Sequence, residues 1–177
     1  MEQIIKNLYL LCCISIVLQG CDLFGTIDNK DKLPPATQKG NYTFGCLVNG
    51  NLWLQKGNNG TSNLDLSYDP EYAGGLFDLL TYRYSGASNT YIRISADSLT
   101  SVGTYRLNRN DGRAGSFSGY TSKCQYYYEK EVYRDGYLTI TKFDLKNLII
   151  SGTFEFTLYT PDCDTIKFTQ GRFDMKI

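Results

Sequence analysis

Short segments of alternating apolar and polar residues make up the chain from residue 41 onward, and turn residues separate them every 8 to 14 positions. Alternation with a period of two is typical of half-buried β-strands, because successive side chains point to opposite faces. Asn49-Gly50 lies between two apolar runs, and this dipeptide favours a two-residue hairpin loop that would place Cys46 opposite Trp53. The pattern therefore predicts an all-β domain over residues 41–177.

The middle of the chain continues the same pattern. Two alternating segments, "NLDLSY" and "LFDLLTYRYS", flank the loop "DPEYAGG". The next segment, "TYIRISA", predicts a strand in which Ile92, Ile94 and Ala96 share one face. These residues are therefore expected in the core.

The segment "EVYRDGYL" contains the turn dipeptide Asp135-Gly136. A three-residue loop over residues 134–136, with Gly136 in the left-handed conformation, would place Val132 opposite Leu138 on an apolar face. A two-residue loop would instead interrupt that face with an acid. The three-residue hairpin is the prediction that fits the pattern better.

The last two segments predict long strands. Residues 148–159 alternate strictly, which favours a strand with one face in water and with an apolar face formed by Leu148, Ile150, Phe154, Phe156 and Leu158. In the final segment the apolar positions change from even to odd numbers between Phe168 and Phe173. A β-bulge at Gln170-Gly171, with the glycine in the strained position, would restore one inward face.

These segments together predict about nine to eleven antiparallel strands, the last four of them arranged as a meander. So many strands usually form two packed sheets or one closed sheet. We expect a β-sandwich, with an up-and-down β-barrel as the alternative.

Three cysteines belong to this domain, namely Cys46, Cys124 and Cys163. The hairpin over residues 134–136 would put Cys124 and Cys163 at opposite ends of a ten-residue strand, about 30 Å apart, which is far beyond disulfide reach. A bridge between these two cysteines is therefore disfavoured. A bridge between Cys46 and Cys124, and three buried free thiols, are the alternatives that stay open.

The N-terminal residues have the features of an export signal. One lysine precedes an uncharged apolar run over residues 8–18, which is too short to span a bilayer. The following residues, Leu18-Gln19-Gly20-Cys21, resemble the lipobox of bacterial lipoproteins, although Gln19 stands where that motif usually has a small or β-branched residue. This resemblance implies a signal peptide over 1–20 and a lipid-modified Cys21; an ordinary secretory signal and a cytoplasmic protein are the alternatives.

Residues 21–40 lack sustained periodicity and contain Gly, Thr, charged residues and a Pro-Pro pair. Such a composition is typical of a flexible tether. We therefore predict a lipidated cysteine and tether over 21–40, followed by a single β-rich domain over 41–177.

The composition excludes several classes of chemistry. The chain contains no histidine, so mechanisms that use a Ser-His or Cys-His pair or a histidine-bound metal are not available to it. Eighteen basic residues balance eighteen acidic residues, which argues against nucleic acid as a partner.

The remaining catalytic candidates are carboxylate pairs, namely Asp69 with Glu71, Glu129 with Glu131, and Glu155 with a cross-strand partner. "GSFSG" at 115–119 fails as a nucleophile elbow because Phe117 stands at the serine position. "NRNDG" and "PDCD" lack the alternating acidic spacing of a calcium loop, so turn chemistry explains them. No catalytic, cofactor-binding or metal-binding residue is assigned, and no cofactor is expected.

Tyrosine is the more informative residue type, since fifteen are present. A row of tyrosines on an exposed sheet could stack on sugar rings or contact a protein, and it could equally serve only to cover a wet β-surface. The candidates for such a row are Tyr82, Tyr84, Tyr91, Tyr126, Tyr127, Tyr128, Tyr133 and Tyr137.

The chain is similar to small uncharacterised lipoproteins of Gram-negative bacteria, both in "TFGCLVNGNLW" and in the closing segment from "ISGTFEFTLY" to the C-terminus. The resemblance implies a lipid-anchored β-rich domain of unknown function and assigns no catalytic residue. We expect a non-enzymatic domain of the cell envelope, anchored to the outer membrane through acylated Cys21, that binds a glycan, a peptide or an envelope protein. A carboxylate-dependent hydrolase acting on glycans and a structural subunit of a surface assembly are the alternatives.

Overall fold

The computed structural model describes residues 31–86, 89–108, 112–119, 124, 126 and 132–177. Their strands are β1 Thr43–Val48, β2 Asn51–Trp53, β3 Leu64–Asp69, β4 Leu76–Arg83, β5 Thr90–Ala96, β6 Gly103–Arg106, β7 Ala114–Gly119, β8 Tyr133–Asp144, β9 Ile149–Tyr159 and β10 Ile166–Lys176. They form a six-stranded sheet in the order β2-β1-β10-β9-β8-β6 and a four-stranded sheet in the order β3-β4-β5-β7. All pairings between these strands are antiparallel.

The two sheets enclose one apolar core, which confirms the predicted β-sandwich and not the single closed sheet of the alternative. Phe77 of the small sheet contacts Phe173 of the large sheet, and Phe117 contacts Phe168; both pairs of ring centroids are 5.6 Å apart. The side chains predicted to share one face of β5, Ile92, Ile94 and Ala96, are fully buried in this core. Burial of such side chains is the main favourable contribution to folding.

The first hairpin forms as the sequence predicts. Cys46 pairs with Trp53, and Asn49 and Gly50 occupy the loop with φ of 47° and 79°. Positive φ at both loop positions matches the right-handed twist of the flanking strands. The indole Nε1 of Trp53 donates to Thr90 Oγ1 at 3.1 Å, so this hairpin is also joined to β5.

The predicted hairpin over residues 134–136 is wrong, because β8 runs through these positions without a turn. Gly136 pairs with Phe156 of β9, and a Cβ at Gly136 would lie 2.2 Å from the Glu155 carbonyl oxygen. The glycine is therefore required by a close approach of two backbones, not by a left-handed turn. The described part of the predicted meander consists of three strands, β8, β9 and β10.

The prediction against a Cys124–Cys163 disulfide is also wrong. The two cysteines are bonded, with Cα atoms 5.8 Å apart, and Cys46 is the buried free thiol of the described residues. The prediction failed because it depended on the hairpin at 134–136. Without that hairpin, β8 begins at Tyr133 opposite Tyr159, at the same end of the sheet as the turn that contains Cys163.

The last two strands agree closely with the sequence pattern. In β9 the side chains of Ile150, Phe154, Phe156 and Leu158 are buried, whereas Leu148 lies in the preceding turn and is exposed. One extra residue is inserted in β10 between Phe168 and Gly171, which confirms the predicted bulge. The strained position is Gln170, with φ of 51°, and not the glycine.

Candidate functional site

The outer face of the six-stranded sheet carries the polar side chains of its two longest paired strands. Because side chains alternate, residues 133–139 of β8 and 153–159 of β9 each point four side chains outward. These are Tyr133, Asp135, Tyr137 and Thr139 of β8, and Thr153, Glu155, Thr157 and Tyr159 of β9.

One end of this face is covered by residues 32–41, which we call the N-terminal arm. Most of the arm falls within the segment predicted as a tether. The arm lies along the sheet. Leu33 and Pro34 lie over Gly45 of β1, where an added Cβ would come within 2.7 Å of Pro34 Cδ. Further along the arm, Gln38 Nε2 donates to the Thr141 carbonyl oxygen of β8 at 3.2 Å.

Asp174 of β10 holds the arm in place. Oδ2 accepts from Thr37 Oγ1 at 2.6 Å and from the Lys39 backbone N–H at 3.0 Å. Oδ1 accepts from the Gly40 N–H at 2.7 Å and from Ser151 Oγ at 2.6 Å. An ionised carboxylate matches this set of donors, because both of its oxygens accept hydrogen bonds and the charge strengthens them.

The pKa of Asp174 reflects two opposing effects. Burial raises the pKa because it penalises the charged form, and only 1% of the residue is exposed. The hydrogen bonds from Ser151, Thr37 and the backbone N–H groups outweigh burial and lower the pKa to about 2. Asp174 is therefore ionised at neutral pH and serves as a structural clamp for the arm.

The other end of this sheet face carries three exposed tyrosines, which we call the tyrosine face. Tyr133, Tyr137 and Tyr159 are 56%, 46% and 45% exposed, and Tyr133 lies directly opposite Tyr159 on the neighbouring strand. Tyr137 follows Tyr133 by four residues, a distance of about 13 Å along an extended strand. Within the described residues, none of the three hydroxyl groups has a hydrogen-bond partner, so their polar ends are available to a ligand.

A shallow cavity of about 250 Å³ adjoins Tyr137. Its lining includes Thr139, Glu155 and Gln170 together with Arg172 of β10. The bulge presents the Gln170 side chain to this cavity, and the guanidinium of Arg172 donates to the Gln170 carbonyl oxygen through Nε at 3.1 Å. Hydrogen-bond donors and acceptors therefore converge beside an exposed aromatic ring.

Charges of both signs lie around the tyrosine face, and the exposed Lys167 of β10, which pairs with Thr157 of β9, leaves one positive charge in excess. Arg106 of β6 pairs with Asp135 of β8, with Nε and Oδ1 3.0 Å apart. Arg172 and Glu155 border the cavity and carry one further charge of each sign. Because both side chains of the Arg106–Asp135 pair are well exposed, the pair adds little to stability, and it leaves the surface without a strong field of either sign.

A second group of tyrosines lies on the outer face of the four-stranded sheet. The rings of Tyr82 and Tyr84 are stacked, with centroids 5.6 Å apart, and Tyr91 contacts Tyr82 at 5.9 Å. Their aromatic surfaces therefore cover one another, and all three side chains are half-buried. Of the other candidates, Tyr126 is buried, and Tyr127 and Tyr128 lie outside the described residues.

The described carboxylates predicted as catalytic pairs occupy other roles. Asp69 Oδ1 accepts from the backbone N–H groups of Glu71 and Tyr72, which closes the turn after β3. Glu155 pairs across the strands with Tyr137 and not with an acid. Glu129 and Glu131 lie outside the described residues, as does Cys21, so the lipidation of Cys21 stays a prediction.

Residues 109–111 of "NRNDG" lie outside the described residues, and the described serine-rich segment has a structural role. "GSFSG" falls within β7, and Phe117 packs into the core. Among the described residues, no group of three or more His, Cys, Asp or Glu side chains is placed to hold a metal ion.

Two contributors to the candidate site were not identified from the sequence. Tyr159 was recognised as pointing to the wet face of β9, but its pairing with Tyr133 became apparent only with the register of β8 and β9. Arg172 joins the site because the bulge at Gln170 changes which residues of β10 point outward. The phase change in the apolar pattern was the one available signal for Arg172.

The described part of the chain contains no helix that is long and apolar enough to cross a membrane. No curated protein and no solved structure matches the chain.

A family model does match. It is described as a domain of unknown function, DUF6252, and it covers residues 84–175, just over half of the chain. The matched part begins at the end of β4 and includes β5 to β9 and nearly all of β10, and thus the whole tyrosine face. The chain therefore belongs to the DUF6252 family.

Proposed function

We propose that this protein is a membrane-anchored, non-enzymatic binding domain of the cell envelope that captures its partner on the tyrosine face. Acylated Cys21 holds the chain at the outer membrane. Residues 22–31 connect this anchor to the N-terminal arm. With about 3.3–3.6 Å for each extended residue, this connection reaches roughly 35 Å at most.

The Cys124–Cys163 disulfide supports a location in the envelope. Disulfides form and persist in oxidising compartments and are rare in the cytosol. This observation is independent of the leader over residues 1–20, which predicts export from a different part of the chain. Because a single acyl chain binds membranes only weakly, we expect Cys21 to carry more than one.

The observation that carries the binding proposal is the exposure of three tyrosines on one open face. Tyrosine offers a large rigid contact area with one polar end, and it is enriched where proteins meet their partners. The arm covers the opposite end of the same sheet, so the tyrosine face is the part that stays accessible. The sandwich acts as a rigid support for this surface.

Assembly by strand addition is less well supported than binding on the sheet face. The edge strands β2 and β6 contain three and four residues. The edge strand β3 carries Asp65 and Asp69, and charged edges discourage pairing with another chain. The fourth edge strand, β7, has six uncharged residues, and its Phe117 is already bridged to Tyr126 by backbone hydrogen bonds. The state of these edges favours a role for the face of the sheet.

Cross-linking in intact cells, followed by purification of the protein, tests the binding proposal. We expect a retained partner with the wild-type chain and its loss in the Tyr137→Ala and Tyr159→Ala variants. Tyr72→Ala is the matched control, since Tyr72 is 63% exposed but lies in the loop after β3. Equal retention by all variants would mean that the partner binds elsewhere.

Cell fractionation tests the anchor separately. We expect Cys21→Ser to release a soluble, unacylated protein. Continued membrane attachment of that variant would refute the lipid anchor and leave the binding proposal standing.

A further inference from the structure

We infer that the ligand of the tyrosine face is an uncharged glycan chain, and this inference rests on the proposed function. It commits to one chemical class, whereas the proposed function requires only that a partner binds. Three properties of the face lead to it, namely the types of side chain, the balance of charge and the pairing of the backbone.

The side chains match a ligand with apolar ring faces and a rim of hydroxyl groups. Over residues 133–139 of β8 and 153–159 of β9, the eight outward positions hold three Tyr, three Thr, one Asp and one Glu; the outward Ile149, further along β9, lies beside Gly40 of the arm. The C–H face of a sugar ring packs on an aromatic ring, and its hydroxyl groups exchange hydrogen bonds with Thr and carboxylate side chains. The core of a protein–protein interface is usually more apolar than this surface.

The balance of charge argues against a polyanion. A phosphate-rich ligand would meet the carboxylates of Asp135 and Glu155, and Arg106 is already paired with Asp135. Nucleic-acid sites instead concentrate Lys and Arg on one surface. With Lys167 included, the face has an excess of one positive charge, which is much less than a polyanion site carries, and a neutral ligand is compatible with it.

The pairing of the backbone argues against an extended peptide. Peptides that add to a sheet need an open strand edge. The tyrosine face lies on β8 and β9, and β9 is paired on both sides, by β8 and β10. β8 is paired with β9 along its length and with β6 from Tyr137 to Ile140. Along β9 and over residues 137–140 of β8, side chains are therefore the contacts that a ligand finds. Between Tyr133 and Gly136 the second edge of β8 pairs with no described strand, and there the Gly136 carbonyl oxygen accepts from the Leu107 N–H at 2.8 Å.

The dimensions suit one sugar ring within a longer chain. The cavity beside Tyr137 has a volume of about 250 Å³, which is smaller than the roughly 300–1,000 Å³ of pockets for drug-sized ligands. The Tyr133–Tyr159 pair lies about 13 Å from Tyr137 along the strands. A glycan of several sugars would place one ring at Tyr137, bordered by Glu155, Gln170 and Arg172, and another on the tyrosine pair.

Affinity gel electrophoresis of the full chain in non-ionic detergent tests the inference. The probes are soluble neutral polysaccharides of different linkage, namely starch, mixed-linkage β-glucan, xylan and mannan. We expect at least one of them to retard the wild-type protein. Tyr137→Ala should weaken that binding about tenfold, as the loss of one aromatic contact implies.

Two further variants sharpen the result. Glu155→Gln keeps the shape of the side chain and should weaken binding severalfold, because a charged acceptor makes stronger hydrogen bonds than a neutral one. Tyr72→Ala should bind as the wild type does. All three replaced side chains are exposed, so urea midpoints equal to that of the wild type will show that the variants are folded.

The outcomes separate this inference from the proposed function. The glycan inference is overturned if none of the four polysaccharides retards the wild-type protein. It is also overturned if Tyr137→Ala and Glu155→Gln are retarded as strongly as the wild type. In either case a protein partner that is cross-linked in cells by the wild type and lost in Tyr137→Ala would still uphold the proposed function. If no polysaccharide retards the protein and no partner is cross-linked through the tyrosine face in cells, both the glycan inference and the proposed function are refuted.

Discussion

Replacing Asp174 by asparagine should weaken the attachment of the N-terminal arm and destabilise the domain. Each carboxylate oxygen of Asp174 accepts at least one hydrogen bond from a backbone N–H group of the arm, Gly40 N–H on one side and Lys39 N–H on the other. Whichever way the amide of an asparagine is turned, its NH₂ group must face one of these donors. Asp174→Asn therefore removes the charge and also leaves a buried donor without an acceptor.

The size of the effect follows from the pKa of Asp174. Its hydrogen bonds lower that pKa from 3.8 to about 2, and each tenfold change in proton affinity corresponds to about 1.4 kcal/mol. The ionised carboxylate thus contributes about 2.5 kcal/mol at neutral pH. An unsatisfied buried N–H group adds about 1 kcal/mol or more. We expect Asp174→Asn to lower the free energy of unfolding by about 3 kcal/mol.

Urea denaturation over a range of pH is the appropriate assay. Because the pKa of Asp174 is lower in the folded state than in the unfolded state, its contribution is complete well above pH 4. It is lost as the pH falls toward 2, where the folded-state carboxylate takes up a proton. The gap in unfolding free energy between the wild type and Asp174→Asn should therefore narrow by about 2 kcal/mol between pH 6 and pH 2.

Asp65→Asn is the control, since Asp65 is an exposed acid on β3. It should change stability by no more than about 0.5 kcal/mol at any pH. A gap for Asp174→Asn that stays constant with pH would refute the reasoning, because it would show that the ionised form of Asp174 is not what holds the arm.

Three other expectations follow from the fold. Cys124→Ser or Cys163→Ser should lower the free energy of unfolding by about 2–4 kcal/mol, since the bridge closes a loop with a sequence separation of 39. A reductant should likewise lower the midpoint of thermal unfolding of the wild type, and an unchanged midpoint would contradict a stabilising role for the disulfide. The Cys46 thiol is buried, which raises its pKa to about 12, so iodoacetamide should label it only after unfolding, as peptide mass spectrometry can detect. Gly136→Ala should lower the free energy of unfolding, measured with urea, by about 1–3 kcal/mol, because the new Cβ would lie 2.2 Å from the Glu155 carbonyl oxygen. An unchanged free energy of unfolding would mean that the two strands can move apart there without loss of stability.

The features that sequence reasoning predicted correctly are those set by neighbouring residues. Asn49-Gly50 defines its own turn, because both residues readily adopt positive φ. The bulge at Gln170 was visible because an extra residue shifts every later side chain to the other face. Neither signal depends on distant parts of the chain.

The features that it missed depend on distant partners. Asp135-Gly136 looks like a turn, but the long strand β9 pairs with both residues and overrides that local preference. One wrong hairpin then separated Cys124 from Cys163 in the predicted layout. The clamp at Asp174 could not be predicted, because its donors in the arm are more than 130 positions away in the chain.

The same clamp bears on how the domain responds to tension. A pull applied on the N-terminal side of the arm loads the hydrogen bonds at Asp174 before it loads the pairing of β1 with β10, because the arm precedes β1. Rupture of these bonds, and of the contacts that Leu33, Pro34 and Gln38 make with the sheet, would release about ten extended residues, or roughly 35 Å of chain, while the sandwich stays folded. The arm would therefore detach first under tension and lengthen the chain, while the strands that carry the tyrosine face keep their pairing.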